Sequence, residues 1–250
     1  MSETDIAAII TGHAEGRLAV ASLRSFWACV EHAEAAGLKV EPVLVLDNAR
    51  PDTLAVFDQF RQGRASLLET SFSDQGAARN HAVANCTAAH IAFLDGDDLW
   101  SESWLTDAYG FLQSLEAPKR AIAHPEFNYF FEGHATIFRQ IDQLAPEFDL
   151  DLLRVRNFWD ALCLCHRSIL EEYPFCERDI ANGWAFEDWH WNMMTMSHGI
   201  QHRVVPDTVL FKRRQVQSQT VKASGSKARS RSTPLSAYSH PLYSENQEST

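Results

Sequence analysis

The 250-residue sequence contains no apolar run near the roughly 20 residues needed to span a bilayer. Its opening, Met1-Ser2-Glu3-Thr4-Asp5, lacks the basic and then apolar order of a secretory signal. The expectation is a cytoplasmic protein with no integral membrane segment, free to associate peripherally with the inner face of a membrane. Positive charge is also in short supply. Lys and Arg number 22 against 33 Asp and Glu, for a formal net charge of −11. That balance argues against a general nucleic-acid binder, which needs a basic stripe to displace counterions from phosphates. The five cysteines, Cys29, Cys86, Cys163, Cys165 and Cys176, are odd in number and mostly sit among apolar neighbours. This suits reduced core thiols rather than a disulfide framework, and it makes Cys163-x-Cys165 packing rather than a metal site. No internal repeat is evident.

Hydrophobic residues make up 45% of the chain and charged ones 22%, enough for one substantial core or one core with a small appendage. Over the first 115 residues, strands alternate with helices. Residues 6–10 form an apolar run, and Leu18, Leu23, Phe26, Trp27, Val30 and Ala33 follow at helical spacing. Residues 43–46 repeat the strand pattern, Pro51 and Asp52 open a second helix, and 65–68 is a weaker strand. Asp74 caps a helix running to Ala84, 91–94 is the fourth strand, and 100–115 reads as helix. The alternation predicts a Rossmann-like, mostly parallel α/β sheet flanked by helices, with ligands beyond the carboxyl ends of the strands.

That rule gathers polar residues on one rim. His13 and Glu15 follow strand one, Asp47 and Asn48 strand two, and Asp95, Asp97 and Asp98 strand four. The last three, in Asp95-Gly96-Asp97-Asp98 after the apolar Ile91-Ala92-Phe93-Leu94, are crowded enough to repel one another. A hard divalent cation, Mg²⁺ or Mn²⁺, would relieve the repulsion by bridging carboxylates to substrate phosphates. Arg79 lies about one turn into the preceding helix, placed to orient an Asp or bind a phosphate.

The second half changes character. Residues 121–124, 128–131 and 136–138 are short, aromatic-rich and broken at Glu132-Gly133, a pattern of antiparallel strands or hairpins. A helix near 148–153, a strand at 161–165, a helix over 187–197 and strands at 203–205 and 209–212 complete the body. Glu187 and Asp188 open their helix amid aromatics that would exclude water, raising a carboxyl's proton affinity as a general base requires. Trp184, Trp189 and Trp191 can present apolar platforms for a sugar ring, with at least one reserved for the core. Lys212, Arg213 and Arg214 precede a polar segment, 217–220, and form a candidate diphosphate clamp. His124, His190, His198 and His202 are further candidate ligands, each better explained as structural. Residues 221–250 are Ser-rich, with four basic residues against two acidic ones, and read mainly as a mobile tail. Leu235, Tyr238, Leu242 and Tyr243 are its apolar residues able to dock back onto the body.

Taken in order, Thr11-x-His13-x-Glu15-Gly16, Asp47, Gly76-x-x-Arg79-Asn80, Phe93-Leu94-Asp95-Gly96-Asp97-Asp98 and Glu187-Asp188-Trp189 resemble family 2 glycosyltransferases of the GT-A fold over roughly residues 5–220. His124-Pro125-Glu126 and Asn157-x-Trp159 are similar to bacterial members that build surface polysaccharides. Ala14 and His81 depart from the family pattern. The resemblance implies a single GT-A domain over 1–220, with a nucleotide-binding half at 1–115 and an acceptor-binding half at 116–220. It implies a nucleotide-diphosphate sugar donor, UDP favoured, and a glycan or lipid-linked glycan acceptor. Thr11, His13, Glu15, Asp47, Arg79, Asp95, Arg213 and Arg214 would serve the donor. Asp97, Asp95 and Asp98 would hold Mn²⁺ or Mg²⁺, and Trp159, Trp184 and Trp189 would meet the acceptor. Asp188, with Glu187 second, would be the base of an inverting transfer. The alternatives are a sugar nucleotidyltransferase, which usually carries a Gly-rich basic loop after strand one, and a catalytically silent glycan-binding module of the same fold.

Overall fold

A computed structural model describes residues 4–133, 135–214 and 228–236. Among the described residues one nine-stranded sheet forms the centre, in the order β3-β2-β1-β4-β8-β6-β9-β5, with β7 paired to β6. The first four strands are β1 (Ile6–Gly12), β2 (Val40–Asp47), β3 (Ser66–Thr70) and β4 (His90–Asp95). They pair in parallel, as the alternation predicts. All seven residues of β1 are buried, because parallel strands are covered on both faces. The helices between them are α1 (Ala19–Ala35), α2 (Pro51–Gln59), α3 (Gln75–Ala84) and α4 (Trp104–Gln113). Helix α1 packs against α2 and α4, and α3 against α6 (Arg167–Glu172), a short helix absent from the sequence reading. Asp74 caps α3 as expected, its side chain accepting the Ala77 N–H at 2.8 Å.

Three expectations need correction. The helix placed at 100–115 begins only at Trp104, because β5 (Leu99–Trp100) pairs with Phe211 and Leu210. The pieces at 121–124 and 128–131 form one strand, β6 (Ala121–Phe131), and those at 203–205 and 209–212 form another, β9 (Gln201–Arg213). These two run parallel to each other, while the expected antiparallel hairpin forms between residues 127–130 of β6 and 136–139. Their apparent breaks, Pro125-Glu126 and Pro206-Asp207, offset one another in a bulge where the register shifts. There the Glu126 carboxylate accepts the Asp207 N–H at 2.9 Å, and Thr208 Oγ1 accepts the Glu126 N–H at 3.0 Å. Among the described strands of the sheet, antiparallel pairing is confined to β7 (Thr136–Arg139), β8 (Leu164–His166) and β5. The Glu132-Gly133 turn joins β6 to β7, with both residues at positive φ.

A main core fills the sheet and its helices. A second cluster of Leu153, Phe158, Trp159 and Met193 joins α5 (Leu150–Val155) to α7 (Glu187–Ser197). The third correction concerns the expected tail. Residues 228–236 lie on the body: the Arg229 N–H donates to the Gly183 carbonyl at 2.8 Å, and Leu235 packs against the second cluster. Residues 215–227 and 237–250, including 217–220, Tyr238, Leu242 and Tyr243, lie outside the described residues. All five cysteines are free, and four are buried. Among the described residues no helix is long and apolar enough to cross a membrane.

Candidate active site

The carboxyl ends of the parallel strands open into a cleft of about 1390 Å³ that Thr11, His13, Glu15, Asp47, Asp95, Asp97, Asp98 and Asp188 all reach. Gly96 makes the acidic turn possible, since a Cβ there would sit 2.5 Å from the Thr11 carbonyl oxygen. The turn can therefore lie directly against the end of β1.

The three aspartates of this turn have different surroundings. One oxygen of Asp95, Oδ1, accepts from Arg79 Nη2 (2.7 Å), Gln75 Nε2 (2.7 Å) and Thr11 Oγ1 (3.2 Å). Its other oxygen accepts no hydrogen bond among the described residues. Burial alone would raise the Asp95 pKa, but Arg79 and Lys212 outweigh it and hold the carboxyl below its ordinary value. Asp97 is half-buried and pushed up to about 6, first by burial and then by Asp95 and Glu15. Asp98 is buried and engaged, with Lys212 Nζ at 3.4 Å and the Arg213 N–H donating at 2.8 Å. Burial raises it to about 8, with Asp97 and Asp95 adding to the effect against Lys212.

Lys212 is a half-buried cation of the site, also donating to Asp160 at 3.0 Å. Burial favours its neutral form, yet Asp160, Asp98 and Asp95 raise its pKa above the ordinary value. Asp160 in turn accepts from Asn128, which accepts from Gln140. The sequence pattern singled out Arg213 and Arg214 beside Lys212, and their environments differ. Arg213 is committed to Glu132, the Asp97 carbonyl and the face of Phe131. Arg214 is exposed in the cleft over Phe130.

Arg79 lies buried between Asp95 and Glu187, whose carboxylate is 3.7 Å from Nη1. Arg178 approaches the other Glu187 oxygen at 3.9 Å and bonds Asp74 through its backbone N–H at 2.9 Å. Glu187 is thus a buried counterion for two arginines. Asp188, the next residue, faces the cleft and accepts from Asn157 Nδ2 at 3.1 Å. Burial first, then Glu187 and Asp160, push its carboxyl up to about 7 against the Trp189 N–H and Arg79. Phe186 holds a left-handed conformation, φ 60°, at the start of α7, a costly geometry for a non-glycine residue immediately before this pair. Asp160 and Arg178 carry no short-range signal that would single them out in sequence, and Asn157 stands out only within Asn157-x-Trp159, which gives it no role beside Asp188.

The first loop is tied down. Glu15 accepts the His13 N–H at 2.6 Å, and His13 Nδ1 meets the Asp47 carbonyl oxygen at 2.7 Å. Burial raises the Glu15 pKa despite the His13 N–H. Both Asp47 carboxylate oxygens are used by the β3–α3 connection, accepting from Thr70 Oγ1 and from the Phe72 and Asp74 N–H groups. Asp47 therefore shapes the rim.

The tryptophans expected to meet a sugar all have structural partners, and Trp159 also borders the cleft. Trp159 is buried in the second cluster, stacked 4.4 Å from His202, with its indole N–H on the Ile141 carbonyl. Trp189 donates to the Leu153 carbonyl and packs on the same cluster. Trp184 lies under Arg231 beside residues 228–236. The histidines are structural as well. His124 Nε2 and His202 Nδ1 are 2.9 Å apart, and burial drives His124 down to about 3 and His202 well below its ordinary value. His190 and His198 do not line the cleft.

Among the described residues no three His, Cys, Asp or Glu side chains gather as a metal cage. The chemistry of the donor set nevertheless suits Mg²⁺ or Mn²⁺. The free oxygen of Asp95 and the Asp97 carboxyl are hard donors facing the cleft, and such ions commonly take one or two carboxylates with substrate phosphates completing the shell.

Comparison with known proteins fits this architecture. The glycosyl transferase family 2 model matches residues 20–174, more than half of the chain, and ends before α7. No curated protein matches the sequence. Among solved structures, residues 1–349 of S. aureus TarS in complex with UDP-GlcNAc align with a TM-score of 0.67 at 17% identity, covering 87% of this chain and 61% of that one. The mannosyltransferase PcManGT from Pyrobaculum calidifontis, in complex with GDP-Man and Mn²⁺, aligns at 0.59 and 15%, covering 89% and 63%. The chain thus spans about three-fifths of these structures, and at such identities the likeness concerns the fold. The matched model and the shared GT-A sheet together show that the chain belongs to glycosyl transferase family 2.

Proposed function

We propose that the protein transfers a sugar from a nucleoside diphosphate sugar, UDP favoured, to a hydroxyl of a glycan or lipid-linked glycan, with inversion, in polysaccharide biosynthesis at the cytoplasmic face of a membrane. The observation that carries this reading is a pair of unlike carboxylate sites in one cleft. Asp95 and Asp97 face it from the end of β4, and Asp188, held at about 7, faces it from α7. Structural relatives solved with UDP-GlcNAc and GDP-Man support the donor class.

In this reading Thr11, His13 and Glu15 bracket the nucleoside, and Arg214 meets the diphosphate. Asp95 and Asp97 hold Mn²⁺ or Mg²⁺, which would neutralise charge gathering on the departing diphosphate. Asp98 serves by fixing Lys212 instead of binding the ion. Asp188, oriented by Asn157, takes the proton from the acceptor hydroxyl as its oxygen attacks the anomeric carbon opposite the leaving group. Glu187 positions the helix through Arg79 and Arg178. Residues up to 115, joined by Arg214, act on the donor, and the remainder of 116–220 acts on the acceptor. The test is calorimetric titration with UDP, GDP, dTDP and CDP, with and without Mn²⁺, followed by transfer assays. At least one nucleotide should bind in a metal-dependent way, and binding by none of them overturns the reading.

A further inference from the structure

Charge is distributed unevenly around the cleft. In a chain of net charge −11, most guanidiniums nearby are committed: Arg79 to Asp95, Arg178 to Asp74 and Arg213 to Glu132. Arg156 and Arg214 are different. Both are exposed and line the cleft, and among the described residues neither pairs with a carboxylate. Each guanidinium lies over a phenylalanine, Arg156 5.0 Å from the centre of the Phe138 ring and Arg214 4.4 Å from that of Phe130. A guanidinium resting on a ring is preorganised while its in-plane N–H donors stay free for an anion.

Chain neighbours distinguish the two. Arg214 follows Arg213, whose N–H holds Asp98 beside Asp97, so it belongs to the diphosphate end. Arg156 precedes Asn157, whose amide holds Asp188. The hydroxyl that gives up its proton must reach Asp188, so Arg156 stands beside the acceptor. Next to it, β7 offers Phe138 and Ile137, the latter 66% exposed and also lining the cleft. The surface combines an apolar ledge with one unpaired cation.

We propose that the acceptor is an anionic glycan, bearing a phosphate ester or a carboxylate near the hydroxyl to be glycosylated, and that Arg156 on Phe138 receives that charge. This deepens the proposed function and rests on Asp188 being the base. A planar guanidinium binds either oxyanion through two parallel N–H bonds, and a neutral glycan would leave that capacity unused.

The test titrates the full-length protein, with UDP and Mn²⁺ present, against three oligomers of matched length: dextran, phosphorylated dextran and oligogalacturonate. At least one anionic oligomer should bind more tightly than dextran, and Arg156→Ala should weaken that binding on the order of tenfold, with Arg156→Lys in between. Phosphorylated dextran binding the tighter identifies a phosphate, and oligogalacturonate a carboxylate. The inference is overturned if dextran binds as well as both anions, if neither anion binds, or if Arg156→Ala leaves anion binding unchanged. A parallel titration with UDP and Mn²⁺ separates the two levels. Retained nucleotide binding confines a failure to the acceptor, whereas its absence in the unaltered protein removes the transferase reading itself.

Discussion

The two halves of the sheet solve the same problem in different ways. From β1 to β4, each carboxylate reaches the cleft because it ends a parallel strand, so local order along the chain also sets position in space. In the second half, Asp188 sits on a helix start held by distant partners. Asn157 bonds it, Asn192 bonds both Asn157 and the Trp159 carbonyl, and the Trp189 indole is anchored on Leu153. The first half places charges by topology, and the second places one charge through a network of neutral side chains. Three ion pairs, Arg79 with Glu187, Arg178 with Asp74 and Lys212 with Asp98, join the halves.

Substituting the proposed base is the sharpest way to test this division. Asp188→Asn should lower transfer about a thousandfold, within the range for losing a general base, while metal-dependent UDP binding stays within twofold. A parallel fall in UDP binding would show that the halves are not separable. Arg79→Ala should affect both halves, because it leaves Asp95 and Glu187 without their shared buried cation. The expected cost is about 3 kcal/mol of stability, read from urea unfolding at constant m. A loss below about 1 kcal/mol would make Arg79 no more than a surface-like pair. Asp97→Asn should act on the donor half alone, weakening Mn²⁺-dependent UDP binding on the order of a hundredfold with unfolding unchanged.

The same contrast explains what could be read from the sequence. The strand-end residues Thr11, Asp47 and Asp95 were legible because period and turn residues fix strand ends locally. Asp188 was legible as a residue through the aromatics around it, yet its partners were not. Asn157 lies 31 positions away and Asp160, on the Lys212 side, 28, and pairing at that separation leaves no local pattern. The same limit split β6 and β9 into shorter strands. Pro125-Glu126 and Pro206-Asp207 each read as a break alone, and only their mutual bulge makes them continuous. Trp159 shows a related limit: it borders the cleft while filling the second cluster, and an indole that stacks on a sugar and one that fills a core look alike in sequence.

A finer separation comes from pH, because the two halves should titrate apart. Binding a divalent ion requires Asp97 deprotonated, and its carboxyl is pushed up to about 6, so Mn²⁺-dependent UDP affinity should fall as pH drops below about 6. With Asp188 as the proposed base, transfer would require it deprotonated, and its carboxyl is raised to about 7, so kcat should rise with pH through about 7 and then level. Glu187→Gln removes a negative charge that helps raise Asp188, so the kcat limb should move to lower pH. The UDP-binding limb, set by burial, Asp95 and Glu15 around Asp97, should stay where it is. If both limbs move together, Arg79 transmits charge between the halves, and the division drawn from topology gives way to a single coupled site.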